Sequence, residues 1–406
     1  MRPRSFVLLM FHVLVLHTEQ TADQCNERDE ECPDAERTIM LQQPDQSGES
    51  TKLHVPFDER FRPIGSVAHL QFPDGSRLRR VTRSIQPLLY EFPEFLSKDE
   101  ADHVIRLAQA AGLQPSDFAF FDPNRDGFID TDEVRLNLEN SYDVYPQPED
   151  VRALFKHFKL DLDGDGRVST VESTRRVNTK GMNDYMKEFR KRMPQRAGRS
   201  SSTTWIFPEQ STDRTIQRLT KRIGTMLGLP DSLMNKSDIQ IVHYPTGGFY
   251  NLHRDSSERV HSSGALQCCT RGSGRAQQAC RPCRYATVLM YLNDVPEGGD
   301  TAFPIADNGT EYDPVAFRNS FKMDLHYSCS DANVRIGAVA GKAVLWYNHL
   351  NTTSTDGWLG AEDPFSYHGS CPVTNGHKWV ANYWIKVTDD RHKDLKPTWR
   401  ERKHKH

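Results

Sequence analysis

Two residues near the middle of the chain, His253 and Asp255, have side chains that could bind a metal ion. They lie in the stretch YPTGGFYNLHRD, residues 244–255, which reads as an extended strand. Alternate residues of a strand point to the same face, so this imidazole and this carboxylate can reach one cation. Both groups suit first-row transition metals. The pair alone is a weak signal, because a chain with 16 histidines contains such spacings by chance.

A third potential ligand and a cationic residue lie towards the C-terminal end of the chain. His368 opens the segment HGSCPVTNGHKW, and Lys378 stands ten residues after it. A second histidine completes the set of two histidines and one carboxylate that binds Fe(II) on one face. The lysine could bind an anionic group as a point charge. His377 is a competing ligand, but it follows Gly376 in a turn-like stretch.

These residues resemble the prolyl 4-hydroxylase branch of the Fe(II)/2-oxoglutarate dioxygenases over roughly residues 60–390. The segments HYPTGGFYNLHRD and RYATVLMYLNDVPEGGDTAFP, and the last strand with Trp384, carry the resemblance together with the spaced ligands. The resemblance implies an α+β fold with a double-stranded β-helix (jelly-roll) core. It also implies hydroxylation of protein prolines to 4-hydroxyproline, as in procollagen or hypoxia-regulated factors, with release of succinate and CO2. The cofactors and co-substrates so implied are Fe(II), 2-oxoglutarate, O2 and L-ascorbate.

The same resemblance assigns roles to individual residues of this chain. It implies three iron ligands: His253, Asp255 and His368. Lys378 and Tyr244 would bind 2-oxoglutarate, while Tyr250 and Trp384 would line the substrate groove. The ordinary alternatives are a solvated lysine at 378, which is the default for this residue type, and core aromatics at 250 and 384.

Two twelve-residue stretches, DPNRDGFIDTDE and DLDGDGRVSTVE, carry the EF-hand calcium pattern. Oxygen donors occupy positions 1, 3, 5, 9 and 12, glycine occupies position 6, and position 7 offers its backbone carbonyl. The predicted calcium ligands are Asp122, Asn124, Asp126, Phe128, Asp130 and Glu133 in the first loop, and Asp161, Asp163, Asp165, Arg167, Ser169 and Glu172 in the second. Ile129 and Val168 should pair the two loops. A degenerate pair kept for packing is the alternative, and the short approach to the first loop predicts a weaker first site.

The N-terminal residues and the cysteines indicate the secretory pathway. An apolar run at residues 6–16 follows two arginines; it fits a signal peptide and falls short of the ~20 residues that span a bilayer. Eight cysteines are compatible with disulfides. Three sequons predict glycosylation at Asn235, Asn308 and Asn351. We therefore expect residence in the lumen of the endoplasmic reticulum, either membrane-anchored or free.

Hydrophobic patterning predicts the remaining elements. A helix should begin after the N-cap Ser97 and end at Gly112, and a second should run from Asp213 to Leu227. Strands are expected at residues 239–244, 285–292, 343–347 and 378–387, and strands without intervening helices favour an antiparallel sandwich or jelly roll. The loop at residues 256–284 is long enough to be a functional lid, or else a disulfide-braced insertion.

These elements predict a division of the chain and two classes of function. We expect a signal peptide or short anchor at 1–22, a polar stalk at 23–52, the first part of the catalytic domain at 53–112, an inserted EF-hand pair at 113–195, the dioxygenase core at 196–390 and a basic tail at 391–406. The net charge of −3 argues against nucleic acid as a partner. The expected partner is a proline-containing protein. The alternatives are a calcium-binding scaffold with an inactive oxygenase domain, or a hydroxylase of another side chain such as lysine.

Overall fold

The fold is known from a computed structural model that describes most of the chain. The described residues are 37–47, 49, 53, 63–112, 128–131, 134, 138, 144, 146–169, 172, 179–193, 201–256, 283–307, 325–351, 358–388 and 390–396. Several predictions therefore lie outside them: the apolar leader, Asp122, Asn124, Asp126, Glu133, Asn308 and most of the loop at 256–284. Within the described residues, no helix combines the length and the apolar character that crossing a membrane requires.

The described elements are strands for the most part. The strands are β1 (Arg37–Met40), β2 (Val67–Gln71), β3 (Arg77–Ser84), β4 (Leu89–Phe92), β5 (Phe128–Ile129), β6 (Val168–Ser169), β7 (Ser202–Ile206), β8 (Ile239–Tyr244), β9 (Tyr250–His253), β10 (Cys283–Tyr291), β11 (Glu297–Gly298), β12 (Thr301–Phe303), β13 (Val334–Ile336), β14 (Ala343–Tyr347), β15 (His368–Ser370), β16 (Val373–Asn375) and β17 (Lys378–Val387). The α-helices are α1 (Lys98–Ala111), α2 (Pro148–Phe158), α3 (Thr179–Arg192), α4 (Arg214–Leu227), α5 (Asp231–Met234), α6 (Leu325–Ser328) and α7 (Arg391–Leu395). Short 3-10 helices occur at Pro208–Gln210 and Cys329–Asp331.

Two sheets build most of the described chain outside residues 128–193. The larger has nine strands in the order β1-β2-β3-β4-β14-β10-β17-β8-β7, and the smaller has four in the order β13-β12-β15-β9. Their neighbouring strands are antiparallel apart from the parallel pair β1–β2. The predicted jelly-roll core with supporting helices is confirmed. The sequence did not reveal that β1–β4 extend the larger sheet along β14.

Strand β10 shows why the larger sheet lies in the middle of the fold. Its sequence is apolar at nearly every position, which is the pattern of a strand covered on both faces. Val288 and Met290 point to a core shared with the helices, while Leu289 and Tyr291 point to a core shared with the smaller sheet. The space between the two sheets is therefore lined by alternate residues of β8, β10, β14 and β17.

Helices α1 and α4 cover the outer face of the larger sheet, and both match their predicted bounds. Ser97 caps α1 in a capping box with Glu100, and Gly112 ends the helix. Asp213 caps α4, whose apolar face is buried against the sheet. On α1 the buried positions are alanines and Val104, whereas Leu107 is only partly buried at the edge of this core.

Residues between 128 and 193 contribute a separate apolar cluster. The cluster contains Val134, Leu138, Val144, Val151, Leu154, Phe155, Leu160, Val168, Met182, Met186 and Phe189. Strand β5 pairs with β6 so that Ile129 faces Val168, as the sequence predicts for two joined loops. The boundaries proposed for the EF-hand pair and for the other domains stay predictions.

Candidate active site

The predicted iron ligands come together at one end of the smaller sheet. His253 is the last residue of β9, His368 is the first of β15, and the two are direct partners across the strands. Asp255 follows β9 and turns towards both rings: its Oδ1 lies 3.8 Å from His253 Nε2 and its Oδ2 lies 3.6 Å from His368 Nε2. One ligand atom from each residue falls within 4.8 Å of the others.

Backbone carbonyl groups fix the orientation of both imidazole rings. His253 Nδ1 lies 2.9 Å from the carbonyl oxygen of Asn251, and His368 Nδ1 lies 2.8 Å from that of Ser366. A carbonyl oxygen only accepts hydrogen bonds, so each Nδ1 donates, and in the neutral ring each Nε2 then keeps a free lone pair. This is the tautomer that a metal-binding histidine needs.

Four polar residues around Asp255 favour its ionised carboxylate. The carboxylate is buried, and burial acts to raise its pKa. Arg284, the hydrogen bond from Thr287, and His368 and His253 when protonated lower it, with the result that the pKa falls below its ordinary value. Thr287 Oγ1 donates to Asp255 Oδ2 at 2.6 Å. Asn348 Nδ2 in turn donates to Thr287 Oγ1 at 3.0 Å. Two imidazole nitrogens and a carboxylate oxygen on one face are the donor set that suits Fe(II), so the residues present fit this ion.

Lys378 lies at the start of β17 in the space between the two sheets, 1% exposed. Its Nζ donates to Ser370 Oγ at 2.8 Å and to Thr301 Oγ1 at 3.4 Å. Among the described residues, the Asp300 carboxylate acts on this nitrogen electrostatically but forms its ion pair with Arg335, at 3.8 Å. Burial lowers the pKa of Lys378 to about 7, while Asp300 acts to raise it. A buried cation that forms no ion pair with a described carboxylate is suited to receive an anionic ligand.

Aromatic rings surround this lysine. Tyr244 is its direct neighbour on β8, and the ring centroids of Tyr244 and Tyr291 lie 5.5 and 5.6 Å from Lys378 Nζ. Tyr291 donates to Thr301 Oγ1 at 2.8 Å. The resemblance predicted Tyr244 together with Lys378. Ser370, Thr301 and Tyr291 were not predicted from the sequence. Ser370 carried a usable signal, because it stands two residues after His368 and alternate strand residues share a face.

The two residues predicted for a substrate groove differ in exposure. The Tyr250 ring is half-buried and stacks on the His253 ring, with centroids 3.7 Å apart. Trp384 is only 4% exposed, lies 3.4 Å below the Arg284 guanidinium and packs on Trp205. Arg284 links this stack to the iron site, since its NH1 lies 3.8 Å from Asp255 Oδ1. The groove role of both residues stays a prediction.

Other candidate residues lie away from this site. His377 is exposed, and its ring lies 5.7 Å from that of His243, so it is not grouped with the metal ligands. Among the sequons, Asn351 is exposed. Asn235 is partly buried at the end of α5, and Ser237 of its sequon is fully buried.

All six ligand positions of the second predicted calcium loop are described, from Asp161 to Ser169 and at Glu172. The carboxylate groups of Asp161, Asp163 and Asp165 converge to within 4.8 Å. Gly166 adopts φ 84°, the left-handed conformation that the sharp turn requires. The Glu172 carboxylate accepts from the Ser169 and Leu162 N–H groups, which lowers its pKa to about 2. Of the first loop, Phe128 and Asp130 are described and its other predicted ligands are not.

A disulfide joins the iron-ligand strand to a neighbouring segment. Cys371 directly follows β15, and it is bonded to Cys329 with 5.8 Å between the Cα atoms. Cys329 belongs to the short 3-10 helix after α6. The sequence could not predict this pairing.

Comparison with known sequences and with solved structures identifies similar proteins. The chain is 31% identical to the human and mouse transmembrane prolyl 4-hydroxylases over 336 residues, which is 76% of this chain and 65% of either relative. It thus spans about 65% of the length of these curated relatives. Among solved structures, a viral collagen prolyl hydroxylase from Paramecium bursaria Chlorella virus-1 is similar at 17% identity, with a TM-score of 0.36 over 74% of this chain and 96% of that one.

A family model agrees with the geometry of the site. Residues 239–386 match the 2OG-Fe(II) oxygenase superfamily. This range holds the three metal ligands, the buried lysine, and the strands β8–β17 that position them. By sequence and by the arrangement of these side chains, residues 239–386 are similar to the 2OG-Fe(II) oxygenase superfamily.

Proposed function

We propose that the protein is an Fe(II)- and 2-oxoglutarate-dependent prolyl 4-hydroxylase that acts on proline residues of protein substrates. One observation carries the proposal: two histidine Nε2 atoms and the Asp255 carboxylate converge, and the strand that carries His368 also carries Ser370, which accepts a hydrogen bond from the buried Lys378. The relatives named prolyl 4-hydroxylase support proline as the substrate residue.

In this proposal, one group of residues binds the metal ion and another binds 2-oxoglutarate. His253, Asp255 and His368 would hold Fe(II), which with 2-oxoglutarate and O2 supplies the oxidation of a C–H bond, with succinate and CO2 as by-products. Lys378 would pair with the distal carboxylate of 2-oxoglutarate, helped by the hydroxyl of Ser370. The surrounding tyrosines exclude water from this ion pair and so strengthen it. Fe(II) enzymes of this kind are kept reduced by L-ascorbate, which we include among the expected cofactors.

Turnover of 2-oxoglutarate tests the proposal. Succinate release by the purified chain should be abolished in His368→Ala, because a missing imidazole leaves two protein ligands. His377→Ala is the matched control, since this histidine lies nine residues away on the exposed side of the same segment. Equal release by the wild type and His368→Ala would show that the oxygenase domain is inactive and would favour the scaffold alternative.

The residue that is hydroxylated requires a separate measurement. Proline-containing and lysine-containing peptides are incubated with the chain, Fe(II), 2-oxoglutarate and ascorbate, and the residue that gains one oxygen atom is located by mass spectrometry. We expect 4-hydroxyproline. Oxygen found on lysine would replace the proposal by a lysyl hydroxylase.

We further propose that the loop from Asp161 to Glu172 binds Ca²⁺ and that the chain acts in the lumen of the endoplasmic reticulum. Three converging carboxylates and the β5–β6 pairing support calcium binding. The disulfide between Cys329 and Cys371 and the exposed sequon at Asn351 support an oxidising, glycosylating compartment.

A further inference from the structure

The residues on either side of the carboxylate ligand are both held by a segment that follows β14. Ser256 Oγ lies 2.7 Å from His349 Nε2, and Arg254 NH1 lies 3.5 Å from a carboxylate oxygen of Glu362. His349 and Glu362 face each other as a β-bridge. Strand β9 ends before Asp255, so this ligand lies beyond the strand ladder and between two anchored neighbours.

The direction of the hydrogen bond between His349 and Ser256 follows from the other nitrogen of the ring. His349 Nδ1 lies 2.8 Å from the carbonyl oxygen of Gly360, so Nδ1 donates. In a neutral ring Nε2 then accepts, and the Ser256 hydroxyl donates to it. Burial lowers the pKa of His349, which favours this neutral form. The ring is 3% exposed and held at both nitrogens, so its position is well defined.

We propose that His349 is a positioning residue of the metal site. It holds Ser256, and thereby the adjoining backbone, in the place from which the Asp255 carboxylate meets the two histidine Nε2 atoms. The imidazole does not touch the metal ligands in this account; it acts through the neighbouring residue. The inference rests on the proposed function in one respect, namely that His253, Asp255 and His368 bind a divalent metal ion.

Two substitutions of His349 separate positioning from general support of the fold. His349→Gln can place an amide oxygen near the Nε2 position and so keep an acceptor for Ser256. His349→Asn can keep the donor to Gly360 but loses that acceptor. The matched control is His103→Gln, which removes another histidine whose Nε2 lies 2.7 Å from its partner, Asp213, between α1 and α4. Only the Asn variant should therefore weaken metal binding strongly.

The measurement is the affinity of the metal-free full chain for Mn²⁺, determined by electron paramagnetic resonance. Ca²⁺ is present in excess to fill the loop at residues 161–172. For His349→Asn we expect Mn²⁺ binding to weaken about tenfold or more, as for other residues that orient metal ligands. His349→Gln should retain most of the affinity and His103→Gln all of it. The double variant His349→Asn/Ser256→Ala should lose no more than either single variant, because both changes remove the same hydrogen bond.

The outcomes that overturn the inference are distinct from those that overturn the function. Unchanged Mn²⁺ affinity in His349→Asn, or an equal loss in His103→Gln, would show that His349 does not position the ligand. If His349→Asn fails to fold, Ser256→Ala provides the same test, and its unchanged affinity would likewise overturn the inference. A wild-type chain that binds Mn²⁺ no better than His368→Ala would instead contradict the metal site itself, and with it both proposals.

Discussion

A hydrogen bond to a neighbouring residue orients each imidazole group and the ammonium group of the site. The carbonyl groups of Asn251 and Ser366 turn the two histidine Nε2 atoms inwards, and Ser370 holds Lys378 Nζ at 2.8 Å. Such contacts matter because a ligand side chain free to rotate would lose conformational entropy on binding. The lysine is also the residue whose protonation should be most visible in solution, since burial brings its pKa to about 7.

The affinity for 2-oxoglutarate should therefore depend on pH around neutrality. Only the ammonium form of Lys378 pairs with a carboxylate, and this form is lost as pH rises through about 7. The dissociation constant of 2-oxoglutarate for the Mn²⁺-loaded chain, measured by calorimetry, should rise about tenfold per pH unit above that value. A flat profile in the wild type would contradict the assignment of Lys378 as the anchor.

Lys378→Arg is the matched control for this titration. A guanidinium stays charged over the whole range, so the variant should lose the pH dependence even if its shape weakens binding overall.

In the absence of 2-oxoglutarate, the lowered pKa of Lys378 should also make the folding stability of the wild type depend on pH. The unfolded lysine, with a pKa near 10.5, binds its proton more tightly than the folded one, so stability should increase as pH rises from about 7 towards 10.5.

At the scale of elements, the site depends on how closely β15 approaches β9. These strands carry His368 and His253 opposite each other, and the glycine after His368 makes the approach possible. A Cβ atom built at Gly369 would lie 2.5 Å from the carbonyl oxygen of Tyr250 and 2.5 Å from Leu325 Cδ1. The backbone oxygen cannot give way without moving β9, so the strand pair requires glycine at this position.

Gly369→Ala should consequently separate the two histidines. Overpacking of this kind costs about 1–3 kcal/mol of folding free energy, and the displaced β15 should also weaken Mn²⁺ binding. Urea unfolding and Mn²⁺ titration of the same preparation measure both effects. Gly337→Ala, after β13 in the same sheet, is the control, because its Cβ would meet only Asp300 Oδ1 at 3.9 Å. Normal metal affinity in Gly369→Ala would show that the close approach is not needed for the site.

At the scale of the whole molecule, the two larger sheets and the segment with the predicted calcium loops have separate apolar clusters. Among the described residues, the cluster within residues 134–193 shares no member with the clusters on the two faces of the larger sheet. In the chain, however, this segment stands between α1 and α4, which pack together on that sheet. If the loop at residues 161–172 binds Ca²⁺ as proposed, Ca²⁺ should stabilise the cluster within residues 134–193 first and affect the larger sheet through these chain connections.

Glu172→Gln tests this arrangement. A bidentate carboxylate at position 12 closes the calcium loop, so its replacement by an amide should weaken Ca²⁺ binding to the 161–172 loop. Hydrogen exchange should show Ca²⁺-dependent protection of residues 161–172 in the wild type and its loss in the variant. Glu188→Gln, on the exposed face of α3, is the control. If protection in Glu172→Gln equals that of the wild type, this loop is not the calcium site.

The sequence by itself determined many of the elements and predicted the candidate metal pair. Strand alternation, a local property, was enough to place His253 and Asp255 on one face. The roles of His368 and Lys378 were predicted from the resemblance to a known family. Capping residues likewise defined α1 and α4. Local patterns could not show that Thr301, Tyr291 and Ser370 would meet around Lys378.

Only the tertiary structure decided which distant residues complete the site. Because β10 and β14 are neighbours in the larger sheet, Asn348 reaches Thr287, which donates to Asp255. His349, the next residue, contacts Ser256 beside this ligand. No periodicity within one segment records that pairing. The disulfide between Cys329 and Cys371 was equally unreadable, since eight cysteines allow many pairings. Residues that bind the metal could be identified by type and spacing. Residues that position them could not, because their role depends on contacts between segments that are far apart in the chain.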